Sequence, residues 1–276
     1  HPADWVVDLE VHSRFSSVFT ALTGARNRFA FTFVNRNRTR RWLYTHLARW
    51  NPDRHVDECY RQLGKIMGFD RYEPVALKPR ISDAECERVD RLLADAGASE
   101  KTRLVVLNPN SGGLCLERRW PGAHFAALVD ALPPDSERLV IFVGSSEERI
   151  YTEDIVKTCQ TRPDVRVLNW AGRLSFAMLA ELLSRTELLV TNDSGPLHLG
   201  DIMGSAVISL WGPSSPEIYA PRGAQHRYFY EPVFCSPCIH LSMKAPCDGH
   251  NECLQRLPVE RVAKEVLRRL GYAHEV

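Results

Sequence analysis

The stretch Asn192-Asp193-Ser194-Gly195-Pro196-Leu197-His198 brings a carboxylate, an amide, a hydroxyl, an imidazole and a helix-starting proline into one short run. Pro196 suits a first helical turn, where its missing N–H is not needed. The other amides of such a turn, with the positive end of the helix dipole, form an anion site that fits a diphosphate. Asp193 would repel that anion unless it faces ribose or sugar hydroxyls, for which a carboxylate is a double acceptor. The plainer reading is that Asp193 or Ser194 caps the helix and His198 packs in a core.

A second stretch, Asn108-Pro109-Asn110-Ser111-Gly112-Gly113 followed by Glu117-Arg118-Arg119-Trp120-Pro121, has the makings of a phosphate loop. Glycines let backbone amides approach a ligand, and Arg118 and Arg119 offer forked donors to phosphate oxygens. An ordinary connection with surface arginines is the competing reading. There is no Walker lysine signature and no GxGxxG, which argues against a P-loop ATPase and an NAD enzyme. In Gly144-Ser145-Ser146 a serine is placed to cap a following helix, and Ser175 plays that part in Trp170-Ala171-Gly172-Arg173-Leu174-Ser175, where Arg173 adds a cation and Gly172 a turn. Trp211-Gly212-Pro213-Ser214-Ser215-Pro216-Glu217 is rich in turn formers and suits a pocket wall.

Four cysteines form a further group: Cys235 and Cys238 as CxxC, then Cys247 and Cys253. Four thiolates can close a tetrahedral structural zinc site, with His240 and His250 as alternative ligands. A redox pair or plain reduced cysteines are the other readings.

These loops need a scaffold that presents them together. Apolar runs at 104–107, 139–143, 165–168, 188–191 and 206–211 alternate with helical stretches at about 123–132, 147–160, 175–185 and 196–203. Such alternation predicts a parallel sheet covered on both faces, with ligands at the carboxyl ends of the strands. Before it, Trp5–Leu9 predicts a strand, 13–22 a helix ending at Gly24, 28–33 a strand, and a later helix ends near Gly68. The expected divisions are 1–80, 81–258 and a helical segment 259–276 packing back across both.

With 276 residues, 44% of them hydrophobic, the chain can bury substantial cores. A net charge of +1 and a pI of about 7.8 give no global field for nucleic acid, which is not an expected partner. Locally, Arg26, Arg28, Arg36, Arg38, Arg40, Arg41, Arg49 and Arg54 share a stretch whose one acid is Asp53. The segment 26–54 is either a solvated face or, with Phe29, Phe31, Phe33, Trp42 and Tyr44 interleaved, a contact for an anionic acceptor or membrane surface. No apolar run approaches the ~18 residues of a membrane span, and the first residues do not read as a signal peptide. Eight cysteines in a chain of this length suit a reducing compartment. A cytoplasmic location, peripheral to the inner membrane, is the expectation.

Taken together, Asn108-Pro109-Asn110-Ser111 with Arg118-Arg119-Trp120-Pro121, Ala171-Gly172-Arg173-Leu174-Ser175, Thr191-Asn192-Asp193-Ser194-Gly195-Pro196-Leu197-His198 and Leu210-Trp211-Gly212-Pro213 resemble glycosyltransferase family 9, the lipopolysaccharide heptosyltransferases. Ala3–Phe31 is similar to the last part of that family's N-terminal domain. The resemblance implies an α/β protein of GT-B type, two Rossmann-like doubly wound domains with the N-terminal one incomplete. It implies inverting transfer of heptose from ADP-heptose to a lipid-linked or core-oligosaccharide acceptor, with no cofactor required for the chemistry. Donor contacts carry over to Asp193, Ser194, Gly195 and His198 and to Arg118 or Arg119. Asn110, Ser111, Gly172, Arg173, Asn192 and Pro196 complete the expected donor site. The family's general base is an aspartate in a loop earlier than this chain's first strand, and Asp8 and Glu10 are the nearest substitutes. Two alternatives are a catalytically incomplete nucleotide-sugar-binding module and a GT-B-like epimerase, which would want more acid-base residues facing the sugar.

Overall fold

A computed structural model describes residues 3–11, 13–33, 41–71, 77–113, 115–159, 165–239 and 245–272. In the first part of the chain, β1 (Trp5–Val7), β2 (Asn27–Thr32) and β3 (His46–Arg49) form a parallel sheet in the order β1-β2-β3. Helix α1 (Arg14–Leu22) starts where the Ser13 hydroxyl accepts from the Ser16 amide at 3.2 Å, satisfying one of the amides that a helix start leaves without a partner. Helix α2 (Val56–Ile66) is capped by His55, whose Nδ1 accepts from the Asp57 amide. Phe29, Phe31, Ala48, Cys59 and Leu63 make the core.

Two readings of the Arg-rich segment are corrected here. Phe29 and Phe31 are core residues, and Tyr44 is buried, so these aromatics are not membrane contacts. Arg28 donates to the carbonyls of Leu43 (2.7 Å) and Ala25 (2.6 Å), a structural task rather than a surface one. The short β3 escaped sequence reading because only Ala48 is buried in it, so no apolar period shows. Trp42 is 87% exposed, and Arg36, Arg38 and Arg40 lie outside the described residues.

Further along, α3 (Asp83–Asp95) precedes β4 (Arg103–Asn108), α4 (Gly122–Asp130), β5 (Arg138–Phe142), α5 (Arg149–Cys159) and β6 (Arg166–Asn169). Then come α6 (Phe176–Ser184), β7 (Thr186–Asn192), α7 (Gly195–Met203), β8 (Ala206–Trp211), the short α8 (Pro216–Tyr219), β9 (His226–Tyr230), α9 (Glu252–Gln255) and α10 (Val259–Arg269). The six strands are parallel in the order β6-β5-β4-β7-β8-β9. Alternation sends Val105 and Leu107 of β4 to one face, where Phe125 of α4, Val156 of α5 and Val262 of α10 join one core. On the other face α3 packs on α6 and α6 on α7. That is the expected doubly wound arrangement. Edge strand β9 was not predicted, because of its five residues only Phe229 is buried.

Helix α7 lies close on the sheet. A Cβ at Gly200 would come within 2.6 Å of Leu189 Cδ2 on β7, so glycine sets the depth at which the helix, and hence its N-terminus, sits.

The chain divides into two compact units, His1–Val75 with Glu217–Tyr219, and Ala76–Pro216 with Ala220–Val276. The sequence placed the join at 80. Helix α10 buries Val262, Ala263 and Val266 in the core of the larger unit, so within that unit it is no separate segment. Glu265 on this helix is bidentate with Arg268 (2.7 and 2.8 Å) and bonded to Arg269 (3.0 Å). Arg268 first, then Arg269, hold its carboxyl down to about 2. A depressed carboxylate stabilises the fold above its unfolded pKa of about 4.3, and that contribution is lost as pH falls toward 2. Glu265→Gln should therefore destabilise by about 1 kcal/mol at neutral pH, a figure kept small because Arg268 is well exposed. Urea unfolding should show the gap narrowing below about pH 4.3 and closing only as the pH falls through about 2; a gap constant from neutral pH down would contradict the assignment.

Candidate functional site

The strand order reverses between β4 and β7, and at such a switch point the two strand-to-helix loops part and leave a crevice at the carboxyl ends. Those two loops are the ones the sequence singled out. Asn108, at the end of β4, is buried and donates from Nδ2 to Thr191 Oγ1 (2.9 Å) and Ser194 Oγ (2.8 Å) of the β7 loop. The Asn192 amide group reaches back, its Oδ1 accepting from the Trp120 amide at 3.0 Å. Cross-links between buried polar groups fix the mouth of the crevice, since each unmade bond would cost ~1–3 kcal/mol.

Asn110 ties the same mouth to β5, donating to the Val143 carbonyl (2.9 Å) and Thr152 Oγ1 (3.2 Å). A Cβ at Gly144 would sit 2.4 Å from its Nδ2, so this contact requires glycine at 144. Asn110 Nδ2 is thus spent on the scaffold while its buried Oδ1 has no hydrogen-bond partner among the described residues, and Ser111 donates inward to the Cys115 carbonyl at 2.9 Å.

The N-terminus of α7 answers the capping question. Ser194 is the N-cap residue by position, yet no side chain caps this helix. The Ser194 hydroxyl turns inward to Asn108, Thr191 and the Asn192 carbonyl, while Gly195 is exposed. The helix start, with its partial positive charge, is left open to an anion.

Beside it, Asp193 is buried to 8% exposure. Its Oδ2 accepts from Arg118 Nη1 at 3.5 Å and from the Ser214 hydroxyl. Arg118 is braced by a 3.0 Å bond from Nη2 to the Ser111 carbonyl, and its buried Nε has no acceptor among the described residues. Arg119 is committed elsewhere, paired with Glu148 at 3.2 Å and stacked 4.4 Å over the Tyr151 ring. Of the two adjacent arginines, then, Arg118 stands at the crevice.

Of the other expected residues, His198 lies in the first turn of α7. His198 is exposed and near enough to Asp201 and His226 for its charge to bear on both. Burial raises the Asp201 carboxyl and lowers the His226 ring. Gly172 and Arg173 follow β6, an edge strand separated from β7 by β5 and β4, about 12 Å from the switch point at ~4.8 Å per strand. There Arg173 borders Leu92, Asp95 and Ala96 of the α3 end. Ser175 caps α6 as expected, accepting from the Met178 amide.

Sequence reasoning assigned no role to Glu148, and it placed Ser214 in a pocket-wall loop without singling it out. Glu148 accepts from the amides of Gly112 and Ser145, both at 3.0 Å, and from Arg119. The signal was present: Ser145 and Glu148 have the S-x-x-E spacing of a capping box, and Glu148 makes its reciprocal bond. The helix begins at Arg149 rather than 147, and the Glu147 carboxylate is lowered in pKa first by its own backbone amide and then by bonds from Ser145 and Ser146. Ser214 carried no local signal.

In the smaller unit, Asp8 accepts from the Glu10 amide (2.9 Å), Ser16 Oγ (2.9 Å) and the Tyr44 hydroxyl. It is 6% exposed, and bonds to both oxygens make it a hub for β1 and α1 rather than an open proton acceptor. Glu10 is exposed, and its charge raises the Tyr60 hydroxyl behind the larger effect of burial.

Cys235, Cys238, Cys247 and Cys253 all border one cleft, shared with Glu117 and Pro213. Burial, then the neighbouring thiols, push the Cys238 thiol up to about 11. Among the described residues no three His, Cys, Asp or Glu side chains already stand in a geometry that could hold an ion. His240 lies outside the described residues, and His250 is exposed.

The model of glycosyltransferase family 9 (heptosyltransferase) matches residues 3–247. The chain belongs to this family. Lipopolysaccharide heptosyltransferase 2 of Escherichia coli K12 is 30% identical over 150 residues, 54% of this chain and 42% of that protein. Lipooligosaccharide heptosyltransferase 2 of Campylobacter jejuni strain 81116 is 23% identical over 165 residues, 59% of this chain and 50% of that protein. The family 9 chain thus spans about half the length of these curated relatives. The solved family 9 glycosyltransferase of Veillonella parvula superimposes with a TM-score of 0.78 at 22% identity, covering 99% of this chain and 75% of that one. E. coli ADP-heptose lps heptosyltransferase II does so with a TM-score of 0.73 at 20% identity, over 99% and 78%. These likenesses give the family 9 chain the GT-B type of fold. Among its described residues no helix is long and apolar enough to cross a membrane.

Proposed function

We propose that this chain holds a nucleotide-sugar donor for a glycosyltransferase that moves heptose from ADP-heptose, with inversion, to a lipopolysaccharide-core or related lipid-linked saccharide. One observation carries the reading: Arg118, Asp193 and the uncapped start of α7 converge at the switch point of the larger sheet. The charges divide the work. Arg118 and the helix start take the diphosphate, while Asp193, compensated by Arg118 and Ser214, turns its remaining acceptor capacity to hydroxyls.

In the transfer an acceptor hydroxyl attacks the anomeric carbon from the face opposite the nucleoside diphosphate, which leaves with the bonding pair. Negative charge grows on the leaving phosphate oxygen, where preorganised donors stabilise a transition state most. Arg118, held by the Ser111 carbonyl, is such a donor. The acceptor's proton goes to a base that we do not place on Asp8, whose oxygens are already bonded. The names of the relatives, lipopolysaccharide heptosyltransferases, support the donor and acceptor class. We place the reaction at the cytoplasmic side of the inner membrane; the exposed Trp42 beside Arg41 supports peripheral contact there.

Calorimetric titration with ADP-heptose, ADP and UDP tests the reading. The ADP species should bind, and Asp193→Ala should lose about tenfold or more in affinity, the worth of a charged acceptor. Absence of binding at millimolar concentration to a chain that circular dichroism shows folded would refute it.

A further inference from the structure

We propose that Cys235, Cys238, Cys247 and Cys253 bind one zinc ion as a four-thiolate site, and that this ion fixes the two loops carrying Arg118 and Ser214. The second half rests on the proposed function; the first does not.

The four cysteines are free thiols drawn from a CxxC and two later positions, yet all border one cleft of about 150 Å³. Cys238 and Cys253 are buried, Cys253 within α9, while Cys235 and Cys247 are half-buried. No three of these side chains, all among the described residues, already stand where they could hold an ion, so binding has to draw the thiolates together, and the half-buried pair is the less constrained by packing. Four S–H bonds break, four Zn–S bonds of about 2.3 Å form, and four protons leave to solvent, giving a site of charge −2.

The segment these cysteines would staple is bonded to both donor loops. The Cys238 and Ile239 amides donate to the Pro213 carbonyl at 2.8 and 3.2 Å, next to Ser214. Asn251, between Cys247 and Cys253, is buried and donates to the carbonyls of Arg119 (2.6 Å) and Glu117 (3.3 Å), on either side of Arg118. Where Cys253 passes β8 the fit is close, since a Cβ at Gly212 would meet its Sγ at 2.7 Å. An ion closing this segment would limit the movement of both loops, as groups behind a binding site commonly do at a cost of about 10- to 100-fold when lost.

The test uses the full chain, reduced and purified after growth with added zinc. Elemental analysis should find about one zinc per chain, and Cys235→Ser with Cys247→Ser should remove it. Cobalt exchanged for zinc should give the sulfur-to-cobalt charge-transfer absorption of a four-sulfur tetrahedral site, a readout on the unsubstituted chain that does not depend on variants folding. Less than a tenth of an equivalent of zinc together with no cobalt spectrum overturns the site, and stoichiometric iron overturns the choice of metal. Removing zinc with a chelator should weaken ADP binding about tenfold while circular dichroism holds. Unchanged ADP affinity overturns the bracing role. ADP failing to bind the zinc-loaded chain refutes the donor-site reading and leaves the zinc site standing.

Discussion

Arg118→Ala is expected to weaken ADP binding by about 10- to 100-fold, the equivalent of the ~1.5–3 kcal/mol of a hydrogen bond to a charged group. The guanidinium is the one of the two adjacent arginines that reaches the crevice, and its loss does two things. It removes a donor to the diphosphate, and it leaves Asp193 with Ser214 as its remaining described side-chain partner, so the carboxylate would push against the incoming anion. Arg119→Ala should change affinity several-fold less, because Arg119 is spent on Glu148 and Tyr151. Calorimetry on the two variants side by side decides the matter. Equal losses, or a larger one at 119, would mean that the loop rearranges around the ligand and that Arg118 has been given the wrong task.

Trp120→Ala is expected to cost about 3–5 kcal/mol of stability, the usual range for deleting a buried aromatic ring. Trp120 is fully buried, packs edge-on against Phe125 and His124, and donates from Nε1 to the Leu257 carbonyl at 3.1 Å. The truncation leaves a cavity in the main core and an orphaned carbonyl. Trp120→Phe keeps most of the volume and loses chiefly the N–H bond, so about 1–2 kcal/mol is expected. In both variants the 120 amide keeps its bond to Asn192 Oδ1, which separates the packing role from the site. Urea unfolding measures both losses, and an alanine variant within 1 kcal/mol of the parent would show that the core repacks.

The sequence by itself determined the alternation of strands and helices in the larger unit and the loops in which function should be sought. These are local matters. An apolar strand bounded by turn formers announces itself within a few residues, and Pro196 after Gly195 marks a helix start wherever the helix lies. Strands β3 and β9 were missed because each buries one residue, leaving no period to read.

Only the tertiary structure decided which side chains meet. Ser214 and Asp193 are brought together by the pairing of β7 with β8, and Arg118 reaches the same carboxylate because β4 pairs with β7. Adjacent arginines of one chemistry were parted by Glu148, distant in sequence, and Asp8, a candidate base by its place at a strand end, was taken up by Tyr44 and Ser16. Phe29 and Phe31, which by composition suited a membrane face, went to the core. Periodicity fixes what an element is and which of its faces is apolar; strand order and register, set by burial summed over the whole sheet, fix which neighbour each polar group finds.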